Sequence, residues 1–407
     1  MSNPSLLTVE EAQARMLAHA RVAPETESLP LLDADGRVLA APVKAQVSVP
    51  PLDNSAMDGY AVRVADLGRA GESVLPVSQR IAAGSVGAAL APGTAARIFT
   101  GAPLPPGADA VVMQERCREE AGCVHIGRVP GVGENVRRAG EDFAAGDDVL
   151  AAGIRLTPQA LGLAAAAGVS RLTVRRRLRV ALLSTGDELV LPGESLRAGQ
   201  IYDANRYVLA ALLARLGCEV QDCGHVADDF DATAALLNEA AGRADVVLTS
   251  GGVSVGEEDH VKKAVEQKGR LALWKVAMKP GKPLAFGEVG GAFFLGLPGN
   301  PVSAFVTFGL FVRPFLLACQ GVARVLPPSY PVRAGFDWKK PGDRREYVRV
   351  RLDHDLGGAP LARLFPNQGS GVLSSLSWAD GIAVISAGHT VAEGDTLAFL
   401  PFCEWLA

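Results

Sequence analysis

Four apolar stretches of the chain each end in a small or acidic loop. These are Ser184-Thr-Gly-Asp-Glu188, Asp228-Asp229, Ser250-Gly-Gly-Val-Ser-Val-Gly-Glu-Glu-Asp259 and Pro298-Gly-Asn-Pro301. Bare backbone amides at Ser250, Gly251 and Gly252 can approach an anion closely where a strand gives way to a helix. The carboxylates of Glu188, Asp228 and Asp259 would repel that anion. A divalent cation between them resolves the conflict, and hard oxygen ligands suit Mg²⁺. The competing reading of Asp228 and Asp259 is that each only caps a helix.

A basic segment, Trp274-Lys-Val-Ala-Met-Lys-Pro-Gly-Lys-Pro283, supplies the opposite charge. Surface lysines usually sit on flexible, solvated chain, whereas Lys275, Lys279 and Lys282 are set among Pro and Gly, which stiffen a loop. Rigid ammonium groups beside a glycine-rich edge fit an oxyanion cradle. Asp53, Asn54, Ser55 and Asp58 form a further polar cluster around the Asp58-Gly59 turn. Arg345, Arg349 and Arg351 alternate, which on a strand points them to one side, either as a solvated face or toward an anion. The histidines show no HxxxH spacing and no GxSxG elbow is present, so neither zinc hydrolysis nor a serine nucleophile is indicated.

The elements that must position these groups alternate in type. Leu178–Ser184, Cys218–Val226, Asp245–Thr249 and Phe293–Leu297 read as buried strands. Helical patterns lie between them over Asn205–Gly217, from Asp231 as cap through Ala241, over His260–Lys268 and from Pro301 onward. That order gives a doubly wound, mostly parallel sheet, in which ligands bind beyond the carboxyl ends of the strands. Thr8 with Glu11 fits a capping box, and Thr157-Pro158 starts a helix that Gly168 stops. Short strands among Pro and Gly fill 46–140, and alternation returns after 327. The domains expected are a linker domain (1–45 with 141–177), a β-rich domain (46–140), the α/β domain (178–326) and a C-terminal β-barrel (327–407).

Composition narrows the partners. Lys and Arg total 40 against 44 Asp and Glu, a net charge of −4, so no general basic field is present to hold nucleic acid. Six cysteines without a CxxC pair read as reduced thiols in a cytoplasmic protein. The N-terminus lacks a basic and an apolar signal region, and apolar runs such as Ser303–Val312 are too short to span a bilayer.

The ordered motifs DNSAMDGYAV, FTGAPLPPGADAVVMQE, GENVRRAGED, STGDEL, TSGGVSVGEEDH, WKVAMKPGKPLAFG and GLPGNPVSA closely resemble the MoeA family of molybdopterin molybdenumtransferases and the E domain of gephyrin, from about residue 7 to the C-terminus. The resemblance implies an α/β multidomain fold whose central sheet is MoaB/Mog-like, flanked by β-rich N- and C-terminal domains and an elongated linker domain. It implies insertion of molybdenum from molybdate into adenylylated molybdopterin, with Mg²⁺ and release of AMP. It also implies a cytoplasmic homodimer whose cleft draws on both subunits, with the molybdopterin adenylyltransferase and molybdoenzyme-maturation proteins as further partners. Carried over by position, Asp187, Glu188, Asp228 and Asp259 are the acidic cleft residues, with Glu188, Asp228 and Asp259 as metal ligands. Lys275 and Lys279 are the anion-binding lysines, and Asp58 and Thr100 reach the other subunit's cleft. Arg349 and Ser370 are the matches in the C-terminal domain, and Ser250, Gly251, Gly252, Pro298 and Asn300 of the strand-end loops complete the expected substrate contacts. Two alternatives share the central fold: a molybdopterin adenylyltransferase, and a non-catalytic scaffold such as gephyrin at synapses.

Overall fold

A computed structural model describes residues 6–68, 71–226, 229–252, 260–354 and 358–406. Its centre is a six-stranded sheet in the order Glu219–Val226, Arg179–Thr185, Val246–Ser250, Ala292–Leu297, Pro283–Val289, Gly269–Lys275. The first four strands run parallel. The last two are antiparallel and form an edge hairpin, where the sequence suggests only a lysine loop.

Side chains alternate across this sheet. Val180, Leu182, Val246, Leu248 and Leu295 enter one core, with helices Ala204–Arg215 and Pro301–Cys319. Ala181, Leu183, Val247 and Phe294 enter the other, with helices Phe230–Arg243 and His260–Lys268. Helices on both faces make the sheet doubly wound, as expected. The cap of the second helix differs from expectation. Asp229, not Asp231, accepts the Ala232 amide at 2.8 Å, because the helix starts at Phe230.

The capping box at Thr8 and Glu11 forms, and helix Val9–Leu17 places Val9, Ala12 and Met16 in the first core. Thr157 caps helix Pro158–Ala166, which packs with strands Thr26–Pro30 and Arg171–Arg175 in a separate small core. The β-rich part is a six-stranded sheet containing Gly59–Val62 and Ala95–Ile98. In the C-terminal part, strands Tyr330–Ala334, Arg345–His354, Pro360–Leu364, Gly381–Ile385 and Thr396–Pro401 pair in a closed ring, a barrel without free edges.

The apolar helical run Pro301–Cys319 is longer than its sequence suggested. It has 19 residues and mean hydropathy 1.8, enough by length and composition to cross a membrane, but its apolar window is 94% buried within the protein. It is a core helix. Gly309 lies at a π-helical turn in its middle, and a Cβ there would fall within the Trp405 ring that closes this core. We predict that Gly309→Ala costs about 1–3 kcal/mol by overpacking, seen as a lowered thermal midpoint. An unchanged midpoint would show that the helix yields at this position.

Candidate functional site

The two lysines flank a bend. Lys275 ends one strand and Lys279 ends the next, and the Met278 amide donates to the Val276 carbonyl at 2.8 Å between them. Val276 and Met278 are fully buried, whereas Lys275 and Lys279 are exposed. Four contacts fix this short segment. The Trp274 ring stacks on Phe286, centroids 5.5 Å apart. Leu7 donates to the Lys275 carbonyl at 3.0 Å and its own carbonyl accepts from Ala277 at 2.7 Å. Met278 and Lys279 pair in parallel with Arg345 and Glu346 of the barrel. Gly281, at φ +105°, sits where a Cβ would come within 2.5 Å of Thr307 Oγ1, so only glycine lets the loop close on that helix.

The same helix leads to the sheet edge. It begins after Pro298-Gly299-Asn300, and about 10 Å of helix axis separates Asn300 from Thr307. Asn300 is exposed and its side chain makes no capping bond. The Val302 amide donates to the Ser370 carbonyl at 3.0 Å, which brings the barrel's loop to the rim. Asn205 links the two glycine turns, donating from Nδ2 to Ser250 Oγ at 2.8 Å and to the Gly299 carbonyl at 2.7 Å. Ser250, Gly251, Pro298, Asn300 and Ser370 thus form one contiguous rim, with the lysine segment docked on its helix.

Two expectations at this rim are corrected. The Gly251 amide donates to the Leu297 carbonyl at 3.0 Å, so it is not available to an anion. The glycines are needed for packing instead: at φ +91° and +63°, a Cβ on Gly251 would come 2.7 Å from the Thr185 carbonyl, and one on Gly252 2.5 Å from Val261. Arg349, expected as a substrate contact, is only 1% exposed. It donates to Ser375 Oγ at 3.0 Å and to the Gly369 carbonyl at 3.0 Å, so it braces the loop that carries Ser370. Burial pushes its pKa down to about 10. The alternating arginines do not act as a row: Arg345 pairs with Glu10, and Arg351 stacks on Trp378.

Asp187 and Glu188 are exposed on the turn after strand Arg179–Thr185. His225 Nε2 lies 2.8 Å from the Gly186 carbonyl and supports this turn. Asp228 and Asp259 lie outside the described residues. Among the described residues, no group of three or more acidic, histidine or cysteine side chains is placed to hold a metal. The rim does hold buried polar atoms without partners: Ser184 Oγ, Thr185 Oγ1, Thr249 Oγ1 and Asp203 Oδ2. An unmade bond of this kind costs roughly 1–3 kcal/mol, and such atoms suit an edge that receives a polar ligand.

Asp58 and Thr100 meet on the β-rich sheet. The Thr100 amide and hydroxyl both donate to Asp58 Oδ1 at 2.8 Å. Among the described residues neither bonds to the central domain. Arg80 and Arg97 stack on the Phe99 ring beside them, 4.4 and 4.6 Å from its centroid. Sequence reasoning missed the contacts of Asn205 and of these arginines. Asn205 was legible only as the start of a helix, since its two acceptors lie 45 and 94 residues away.

Comparison with known proteins agrees with this architecture. Residues 7–168 match the family model described as the MoeA N-terminal region (domain I and II), 181–318 the probable molybdopterin binding domain, and 331–402 the MoeA C-terminal region (domain IV). The chain is 40% identical to a molybdopterin molybdenumtransferase of Haemophilus influenzae, covering 98% of this chain and 99% of that one. It is 39% identical to one of Nostoc sp., covering 90% and 86%. A solved molybdopterin biosynthesis MoeA protein of Pyrococcus horikoshii OT3 superposes with TM-score 0.84 at 28% identity, covering 98% of this chain and all of that one.

The Thr100 amide, then its hydroxyl, holds the Asp58 carboxyl below the usual carboxylate range. Its charge is fully present above the ordinary pKa and is lost only as pH falls through the lowered one. Thr100→Ala removes one donor and should move the Asp58 titration, followed by NMR, part of the way back up. A titration that stays in place would assign the shift to another cause.

Proposed function

The chain belongs to the MoeA family and is a transferase of molybdenum cofactor biosynthesis, and on that premise we propose how its residues carry molybdenum from molybdate into adenylylated molybdopterin. The observation that carries the reading is the lysine segment, held by four contacts and packed on the helix that begins at the rim, with Lys275 and Lys279 exposed. Molybdate is a compact dianion. Lys275 and Lys279 neutralise it, and Asn300 and Ser370 offer polar contacts at the adjoining helix start. Rigidity matters because ammonium groups already in place need no reorganisation when charge shifts.

Molybdopterin lies along the rim from the Ser250 turn to Asn300. Asn205 keeps the two turns at a fixed separation, and Arg349 keeps the Ser370 loop against them. Transfer of molybdenum and departure of AMP then depend on alignment and charge, with no covalent protein nucleophile. The expected Mg²⁺ would take oxygen ligands from Glu188, Asp228 and Asp259. The described residues supply Glu188 alone, so the fit is not made and no step is routed through the ion.

The reading includes a homodimer. Asp58 and Thr100 stand on a separate sheet, ordered by each other, which fits a contribution to the cleft of a second copy.

In a reconstituted assay with adenylylated molybdopterin and molybdate, Lys279→Ala should lower AMP release by roughly 100-fold or more, with circular dichroism unchanged. Undiminished release would overturn the lysine assignment. Coexpressing Asp58→Asn with Lys279→Ala chains should restore activity, since mixed dimers hold one intact site. Absence of recovery in mixed dimers would place Asp58 in its own chain's cleft.

A further inference from the structure

The Lys279 ammonium is not a free cation. Its Nζ lies 3.2 Å from Glu346 Oε2, and the two side chains differ in setting: Lys279 is 54% exposed and Glu346 7%. The acid comes from the barrel, on the strand that pairs with Met278 and Lys279. Its neighbours Arg344 and Arg345 are engaged elsewhere, Arg344 with the Met278 carbonyl and Asp343, Arg345 with Glu10. Glu346 therefore has the lysine as its cation. Gly342 makes room for it, because a Cβ there would come 2.5 Å from Glu346 Oε1.

We propose that Glu346 is a positioning residue that sets how tightly the cleft holds its oxyanion, by offsetting part of the Lys279 charge. The proposal rests on the lysine reading given above. A carboxylate this buried demands a partner, so it fixes the ammonium firmly in place. An arriving dianion then meets the lysine with a negative charge directly behind it. Attraction is strong at contact and weak at a distance, so molybdate is oriented without being trapped. A site that must release its metal into a second ligand needs that limit on ground-state affinity. The arrangement also makes the barrel part of the site, through a charge as well as through the Ser370 loop.

The test is calorimetric titration of the full-length protein with sodium molybdate, alongside AMP-release assays. Glu346→Gln should bind molybdate roughly tenfold more tightly, since a like charge a few ångströms behind the ammonium is removed. Its turnover should fall. Glu346→Asp keeps the charge and should return the affinity to within about twofold of the parent. Gly342→Ala displaces the carboxylate without changing it and should also tighten binding, which keeps the test valid if Glu346→Gln fails to fold. Unchanged or weaker binding in folded Glu346→Gln or Gly342→Ala overturns the proposal. Damage of a merely structural kind lowers affinity and does not raise it. Lys279→Gln separates the two readings: if it leaves molybdate affinity intact, the lysine assignment fails, and if it abolishes binding while Glu346→Gln shows no gain, only the role of Glu346 fails.

Discussion

Met278 and Lys279 pair in parallel with Arg345 and Glu346, and this two-residue strand joins the lysine segment of the central domain to the barrel. Without it, the tip of the edge hairpin would be held only from the side of the central domain, and the Lys279 end would lose its partner strand. Ordering that tip on each binding event would cost entropy at the moment of reaction. Paired, it is ordered in advance. The surrounding sequence follows from this requirement: Val276 and Met278 anchor the segment in the core, Gly281 admits it against Thr307, and the buried Glu346 fixes its ammonium group.

The rim answers to a different constraint. Parallel strands end together, and their loops must pass one another closely. Gly251 and Gly299 do so, a Cβ on Gly299 lying 3.9 Å from the Gly251 Cα. Glycine at Gly251 and Gly252 is thus a condition of packing before it is a feature of binding. Polar atoms of Ser184, Thr185, Thr249 and Asp203 lie buried and unpaired close to these turns. The match of both outer regions to the MoeA N- and C-terminal models separates the chain from an enzyme built on the central domain alone.

Much of the central domain was legible because its signals are local. Apolar runs gave the parallel strands, helical spacing gave the helices, and Thr8, Glu11 and Thr157 marked helix starts through neighbours only a few residues off. The edge hairpin was not legible, because Pro and Gly in its turn read as loop and its pairing partner is set by the sheet. The roles of Arg349 and Glu346 were hidden for a related reason. A strand of alternating charge looks solvated in one dimension. Here Arg349 and Glu346 are both buried, because the loop at 367–369 covers one and Lys279 meets the other. Burial of charge is a property of the closed barrel, and no window of sequence contains it.

The claim on which the account turns is that the fixed lysine segment and the adjoining helix start form one oxyanion site. A molybdate-soaked crystal, measured on either side of the molybdenum absorption edge, tests it directly. The account predicts an anomalous peak within hydrogen-bonding reach of Lys279 Nζ, between that side chain and the Asn300–Ser370 corner. A peak confined to another surface, with the lysine segment bare at saturating molybdate, would contradict it.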